Sequence, residues 1–204
     1  LALQNYEEDY FVKPAVEGAM RALNFAKKHN VKKVVLTSSV AAIFETGTEK
    51  VFYDESDWSD PNSSKISNYA KSKTLAEKAA CDFIKQENNP FEFTVINPAL
   101  VIGPSLSGDL GVSNTAIEMV VTGKMPVAIP IQFGFVDVRD VASAHVLAME
   151  NKSSNGERFA LAECDLWYKD IAKLLRENGF KKAPTFAVPV CCLLYTSPSP
   201  RDVP

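Results

Sequence analysis

Val34-Val35-Leu36-Thr37-Ser38-Ser39 is a run of β-branched and aliphatic residues that closes on two hydroxyls. A continuous apolar run of this length suits a buried strand of a parallel sheet, and open α/β sheets place their ligands beyond the carboxyl ends of such strands. A second stretch, Phe93-Thr94-Val95-Ile96-Asn97, has the same layout and leads into Pro98-Ala99-Leu100-Val101-Ile102-Gly103-Pro104. Between the two runs, residues 67–86 read as a helix ended by Asn88-Asn89-Pro90. Strand, helix and strand in this order predict an α/β chain with a parallel sheet.

The intervening helix carries Tyr69-Ala70-Lys71-Ser72-Lys73. Residues four apart lie one turn above each other on a helix face, so Tyr69 and Lys73 are neighbours. An ammonium beside a phenol favours the phenolate and is expected to lower a pKa that ordinarily sits near ~10. A phenol so tuned passes protons at neutral pH. A serine hydroxyl that hydrogen-bonds a carbonyl oxygen completes the parts for reversible carbonyl reduction, with Tyr as general acid or base and Ser as polarising donor. The hydride would come from a bound nicotinamide.

The order Ser, Tyr-x-x-x-Lys, then Asn-Pro-Ala-Leu-Val-Ile-Gly-Pro resembles the extended short-chain dehydrogenase/reductases. Lys13-Pro14-Ala15-Val16-Glu17-Gly18, Tyr53-Asp54-Glu55-Ser56-Asp57-Trp58-Ser59-Asp60, Lys73-Thr74-Leu75-Ala76-Glu77 and Phe135-Val136-Asp137-Val138-Arg139-Asp140-Val141-Ala142 are similar to the dihydroflavonol 4-reductase and cinnamoyl-CoA reductase branch. Yeast methylglyoxal reductases are similar too. The resemblance covers roughly residues 6–180. It implies an NADP-dependent reductase of aldehydes or ketones, with NAD as the other nicotinamide cofactor such sheets take.

Position by position, the resemblance puts Ser39 rather than Ser38 at the catalytic serine, Tyr69 at the proton donor, and Lys73 at the nicotinamide ribose. Pro98, Ala99 and Val101 fall where the backbone borders the nicotinamide ring, and Ser113 falls near the cofactor. Phe44 stands where dihydroflavonol reductases carry an Asn for flavonoid hydroxyls, which argues against a flavonoid. Phe44, Phe133 and Phe135 are the expected substrate-side residues, suited to an aromatic or aliphatic carbonyl compound. Cys81 replaces a Trp and reads as a small buried hydrophobe.

Composition fits a globular chain: 46% hydrophobic, 23% charged, net charge −3. That charge argues against a nucleic-acid or anionic-membrane surface. No apolar stretch approaches the ~18 residues of a membrane span, and the expected location is the cytoplasm. The four cysteines, at 81, 164, 191 and 192, lack metal spacing and read as reduced thiols. His29 and His145 read as ordinary helix-face residues, and no metal is expected.

Further along, residues 10–29 read as a helix with Val12, Val16, Ala19, Leu23 and Ala26 on one stripe and Asn30 as its stop. Residues 113–122 and 137–150 read as helices, 157–162 as a short strand, and 167–178 as an amphipathic helix ended by Gly179. The expected division is 1–112 as part of a Rossmann-type nucleotide-binding domain, and 113–190 as a mainly substrate-binding region with segments returning to the sheet. Residues 191–204 are expected to be a disordered, non-native tail, since Tyr195-Thr196-Ser197-Pro198-Ser199-Pro200 resembles translated adapter read-through more than a reductase terminus.

No Gly-x-x-Gly-x-x-Gly turn occurs in the sequence. A nicotinamide-binding sheet needs such a turn before a helix N-terminus that faces the pyrophosphate. The chain therefore reads as the C-terminal part of a doubly wound sheet, with the first βαβ units, on the order of 60 residues, absent. Two other classes stay open: a nucleotide-sugar epimerase or dehydratase using the same triad, and a non-catalytic nucleotide-binding or interaction module. Because the phosphate cradle is lacking, residues 1–204 alone are expected to show no measurable NADPH binding by calorimetric titration. A tight isotherm would refute that reading.

Overall fold

The computed structural model describes residues 8–45 and 50–187. The expectation for 191–204, including Cys191 and Cys192, lies outside them. The chain divides into two compact units, one formed by Leu1–Ala99 with Arg139–Leu161, the other by Leu100–Val138 with Ala162–Pro204.

The first unit is built on a three-stranded parallel sheet of order β1-β2-β5, with β1 at Lys33–Thr37, β2 at Glu92–Pro98 and β5 at Arg158–Leu161. Val35 pairs with Thr94, and Asn97 with Ala160. β2 is buried along nearly its whole length because strands flank it on both sides. β1 departs from the expectation of a buried strand: it is half-buried, since among the described residues it forms an edge of the sheet. The strand also stops at Thr37, leaving Ser38 and Ser39 just past its carboxyl end.

Helices α1 (Glu8–Lys28) and α3 (Asn68–Gln86) pack together. Leu23 and Ala26 from α1, Ala80, Phe83 and Ile84 from α3, and Phe93 and Val95 from β2 form one buried cluster. Phe93 and Val95 share a face because strand side chains alternate. Cys81 packs at the edge of this cluster, half-buried, and burial pushes its thiol pKa up. Asn30 ends α1 with a left-handed φ of 53°, and Asn88 and Asn89 follow α3 with φ of 56°. Ser67 starts α3 by accepting a hydrogen bond from the Ala70 N–H at 3.1 Å. Between β1 and α3 lies the single turn α2 (Ala41–Phe44). Helix α5 (Val138–Glu150) and a 3₁₀ turn at Lys152–Ser154 lead into β5. Thr94, on the opposite face of β2, donates to the Ser154 carbonyl at 2.7 Å.

The second unit holds a second sheet of order β3-β4-β6, with β3 at Leu100–Ile102, β4 at Gln132–Asp137 and β6 at Cys164–Trp167. β3 and β4 are parallel; β4 and β6 are antiparallel. Helices α4 (Gly111–Thr122) and α6 (Tyr168–Glu177) bury Val120, Tyr168 and Ala172 together with Ala128 and Ala183. Gly123 closes α4 at φ 75°, where a Cβ would stand 3.1 Å from the Lys182 carbonyl oxygen.

Leu23 is 2% exposed at the centre of the α1–α3 cluster. Replacing it with Ala removes buried methyl groups and leaves a cavity, a change expected to lower the unfolding free energy by about 3 kcal/mol. Urea titration of the variant against the parent chain checks this.

Candidate active site

Three consecutive residues at the end of β1 are each fastened to a different element. The Thr37 hydroxyl lies 2.7 Å from His145 Nε2 on α5, and His145 Nδ1 lies 2.8 Å from the Val141 carbonyl oxygen. A carbonyl only accepts, so Nδ1 carries a proton, and in the neutral ring Nε2 then accepts from Thr37. The Ser38 hydroxyl donates to Glu77 Oε2 on α3. The Ser39 carbonyl accepts from Asn97 Nδ2 at 3.1 Å, at the end of β2. Backbone bonds from Ser38 N–H to the Ile96 carbonyl (2.7 Å) and from Val40 N–H to the Pro98 carbonyl (3.1 Å) complete the attachment.

The two serines differ in what their hydroxyls have left to give. Ser38 has its proton committed to a carboxylate. Ser39 Oγ accepts from the Ala41 N–H at 3.2 Å, which uses an acceptor position and leaves the O–H proton as a donor. Tyr69 and Lys73 stand on α3 one turn apart, with the Lys73 ammonium 5.7 Å from the Tyr69 ring centroid. Tyr69 is 41% exposed. Ser39, Phe44, Tyr69, Lys73, Pro98 and Ala99 all belong to the first unit.

Val101, Ser113, Phe133 and Phe135 belong to the second. There Val101 and Ser113 line a cavity of about 320 Å³. Its loop is pinned by Asn114, which accepts from the Gly103 N–H at 3.3 Å and donates to the Gly103 carbonyl at 3.0 Å. Gly103 has φ 140°, and a Cβ there would come within 2.7 Å of Val138 Cγ1. Phe133 and Phe135 meet edge-to-face at 6.2 Å; Phe135 is 4% exposed, whereas Phe44 is 44% exposed.

Sequence reasoning missed the group that organises the first unit. Glu77 has a fully buried side chain; its Oε1 accepts from Arg158 Nε at 2.6 Å, and its Oε2 accepts from Asn97 Nδ2 at 2.8 Å as well as from Ser38. Arg158 Nη1 donates to the carbonyls of Glu55 and Asp57, the latter at 2.8 Å, and its guanidinium lies 3.7 Å from the Trp58 ring centroid. The Glu55 carboxylate accepts from the Ala160 N–H at 3.1 Å. Ser59, 1% exposed, accepts from the Glu45 N–H at 2.8 Å and donates to the Ala41 carbonyl at 2.7 Å. The Asp-Glu-Ser-Asp-Trp-Ser stretch thus joins β5 to the turn that follows Ser39. Buried Asn97 Oδ1 and Arg158 Nη2 have no hydrogen-bond partner among the described residues. Among those residues, no His, Cys, Asp and Glu cluster could hold a metal, and no helix is long and apolar enough to cross a membrane.

The family described as NAD dependent epimerase/dehydratase matches residues 2–162. Cinnamoyl-CoA reductase CAD2 of Medicago truncatula is 42% identical over 172 residues, covering 81% of this chain and 52% of that protein. NADPH-dependent methylglyoxal reductase GRE2 of Saccharomyces cerevisiae is 35% identical over 193 residues, covering 84% and 56%. The crystal structure of yeast methylglyoxal/isovaleraldehyde reductase Gre2 complexed with NADPH superposes with a TM-score of 0.74 at 30% identity, covering 88% of this chain and 59% of that one. The chain spans about half the length of the curated relatives it matches.

At the exposed end of the Arg158 loop, the Lys50 ammonium hydrogen-bonds the Asp57 carboxylate and holds its pKa below the ordinary 3.8, helped by the Asp54 N–H. In a carboxyl NMR titration, Asp57 is expected to protonate below that value. Lys50→Met should move its midpoint upward, and an unmoved midpoint would mean that the pair does not form in solution.

Proposed function

We propose that this chain, which belongs to the NAD dependent epimerase/dehydratase family as an extended short-chain dehydrogenase/reductase of the cinnamoyl-CoA and methylglyoxal reductase branch, is part of an NADPH-dependent reductase of aldehydes or ketones. The observation that carries the reading is the division between the serines: a Ser39 hydroxyl proton with no acceptor among the described residues, beside a strand end, in the unit that also carries Tyr69 over Lys73. Relatives named as NADPH-dependent reductases support the cofactor and the reaction class.

The donor set suits a nicotinamide riboside. A half-exposed lysine ammonium and a phenol one turn apart offer several donors to the two ribose hydroxyls, and the Pro98-Ala99 backbone at the end of β2 offers a wall for the ring. When bound, NADPH supplies a hydride to the carbonyl carbon and becomes NADP⁺.

The chain's own residues handle the oxygen. Ser39 donates its hydroxyl proton in a hydrogen bond to the carbonyl oxygen, stabilising the negative charge that grows there. Tyr69 gives its phenolic proton to that oxygen, which leaves as the alcohol. The Lys73 ammonium, 5.7 Å from the Tyr69 ring centroid, is the positive charge nearest to hand for the phenolate oxygen that remains. Asn97 and Glu77 keep Ser39 and Ser38 in place and take no proton.

In the whole protein, Tyr69→Phe should abolish aldehyde reduction while NADPH binding persists, because only the proton donor is removed. Ser39→Ala is expected to lower kcat about 100-fold, in the range of losing one oxyanion donor. Ser38→Ala should cost far less, since its proton faces a carboxylate. Steady-state kinetics with fluorescence titration of NADPH separates these outcomes, and unchanged turnover in Tyr69→Phe would sink the assignment.

A further inference from the structure

Tyr69, Lys73 and Glu77 follow one another at intervals of four along α3. Side chains spaced this way meet on a helix, and a Lys with a Glu four residues on is a ready ion pair. Elsewhere in this molecule the same spacing does bring the two together: Lys13 lies 4.0 Å from Glu17, and Lys173 lies 3.9 Å from Glu177. Lys73 makes no ion pair among the described residues. Glu77 is turned inward instead, with Oε1 on Arg158 Nε and Oε2 on Asn97 and Ser38. Arg158 is in turn held by the Glu55 and Asp57 carbonyls and by the Trp58 ring, so its fork is fixed before it meets the carboxylate.

We propose that Arg158 is a positioning residue that sequesters the Glu77 carboxylate, so that the Lys73 ammonium stays available to Tyr69 and to the ribose of the nicotinamide cofactor. The function of Lys73 in this statement rests on the reductase reading above. The sequestering itself rests on geometry alone. An unsequestered Glu77 would be free to pair with Lys73 at the four-residue spacing. A buried charge left without a partner is strongly unfavourable, and only Arg158 meets Glu77 in a charged contact among the described residues.

The other charged groups about the network point elsewhere. Lys78, on α3, lies over the Trp58 ring. Asp57 is engaged by Lys50, and Glu55 by the Ala160 N–H. From α1, Lys27 pairs with Glu87, and on β1 Lys33 pairs with Glu92 at 3.2 Å. The Cys81 thiol, one turn past Glu77, is pushed up first by burial, and the Arg158 charge opposes that of Glu77 there.

The test reads Lys73 directly and needs no cofactor. The chain is labelled with trace acetic anhydride at fixed pH, and acetylation of the Lys73 peptide is quantified by mass spectrometry against exposed Lys169. Arg158→Gln frees Glu77 to pair with Lys73, and the labelling rate should fall about threefold, since a paired ammonium releases its proton less readily. The charge-neutral double variant Glu77→Gln with Arg158→Gln should label at the parent rate. An Arg158→Gln rate equal to the parent's overturns the proposal; so does a double variant that departs from the parent. Should Arg158→Gln alone fail to fold, the double variant still overturns the proposal if its rate departs from the parent's. Turnover of Tyr69→Phe judges the reductase reading separately, so the failure of one leaves the other standing.

Discussion

The first unit depends on one buried ion pair. Glu77 and Arg158 are 81 residues apart in the chain, and the carboxylate between them collects α3, β5, the last residue but one of β2, and the end of β1. Burying a charge is unfavourable unless it is paired and its remaining hydrogen-bond capacity is met. Here both carboxylate oxygens are occupied, one by a guanidinium and one by two neutral donors. Removing a single partner from such a pair typically costs about 3–5 kcal/mol, whereas an apolar replacement of the whole pair is often neutral. The pair is therefore better understood as fixing one arrangement of four elements than as a large source of net stability.

That arrangement explains a sequence feature whose chemistry was hidden. Asp-Glu-Ser-Asp-Trp-Ser marked the branch in the sequence, and its acidic side chains are taken up by partners within the first unit. Asp54 accepts from the Ser56 N–H at 2.8 Å, Glu55 covers the N–H of an edge strand, Asp57 binds Lys50, and two backbone carbonyls plus an indole receive Arg158. Among the described residues β5 is an edge of its sheet, and Glu55 satisfies one of its backbone donors that would otherwise invite another strand.

Much of the first unit was legible because its signals are local. Apolar runs gave β1 and β2, four-residue spacing gave the Tyr69–Lys73 face, and Asn30, Asn88 and Asn89 marked helix ends through their tolerance of positive φ. The half-burial of β1 was not legible, because burial depends on which strand lies alongside and not on the run itself. β3, β4 and β6 escaped for a related reason. They are three to six residues long, and β4 finds its antiparallel partner only after α5 and β5 intervene. Phe133 and Phe135 were visible as an apolar pair, but only pairing of Phe135 with Cys164 and Leu100 makes that stretch a strand. Glu77 lay in full view within Lys-Thr-Leu-Ala-Glu, and nothing local announced a partner in β5.

The end of β1 shows what long-range pairing adds to a motif. Thr37, Ser38 and Ser39 are near-identical in chemistry, and a strand end with three hydroxyls gives no local rule for choosing among them. Tertiary structure chooses by commitment. Thr37 spends its proton on His145 and Ser38 on Glu77, while Ser39 is bonded through its carbonyl and as an acceptor, which spares its proton. A hydroxyl can polarise a carbonyl only if its hydrogen is not already donated, so the neighbours that bind Thr37 and Ser38 set those two hydroxyls apart from that of Ser39.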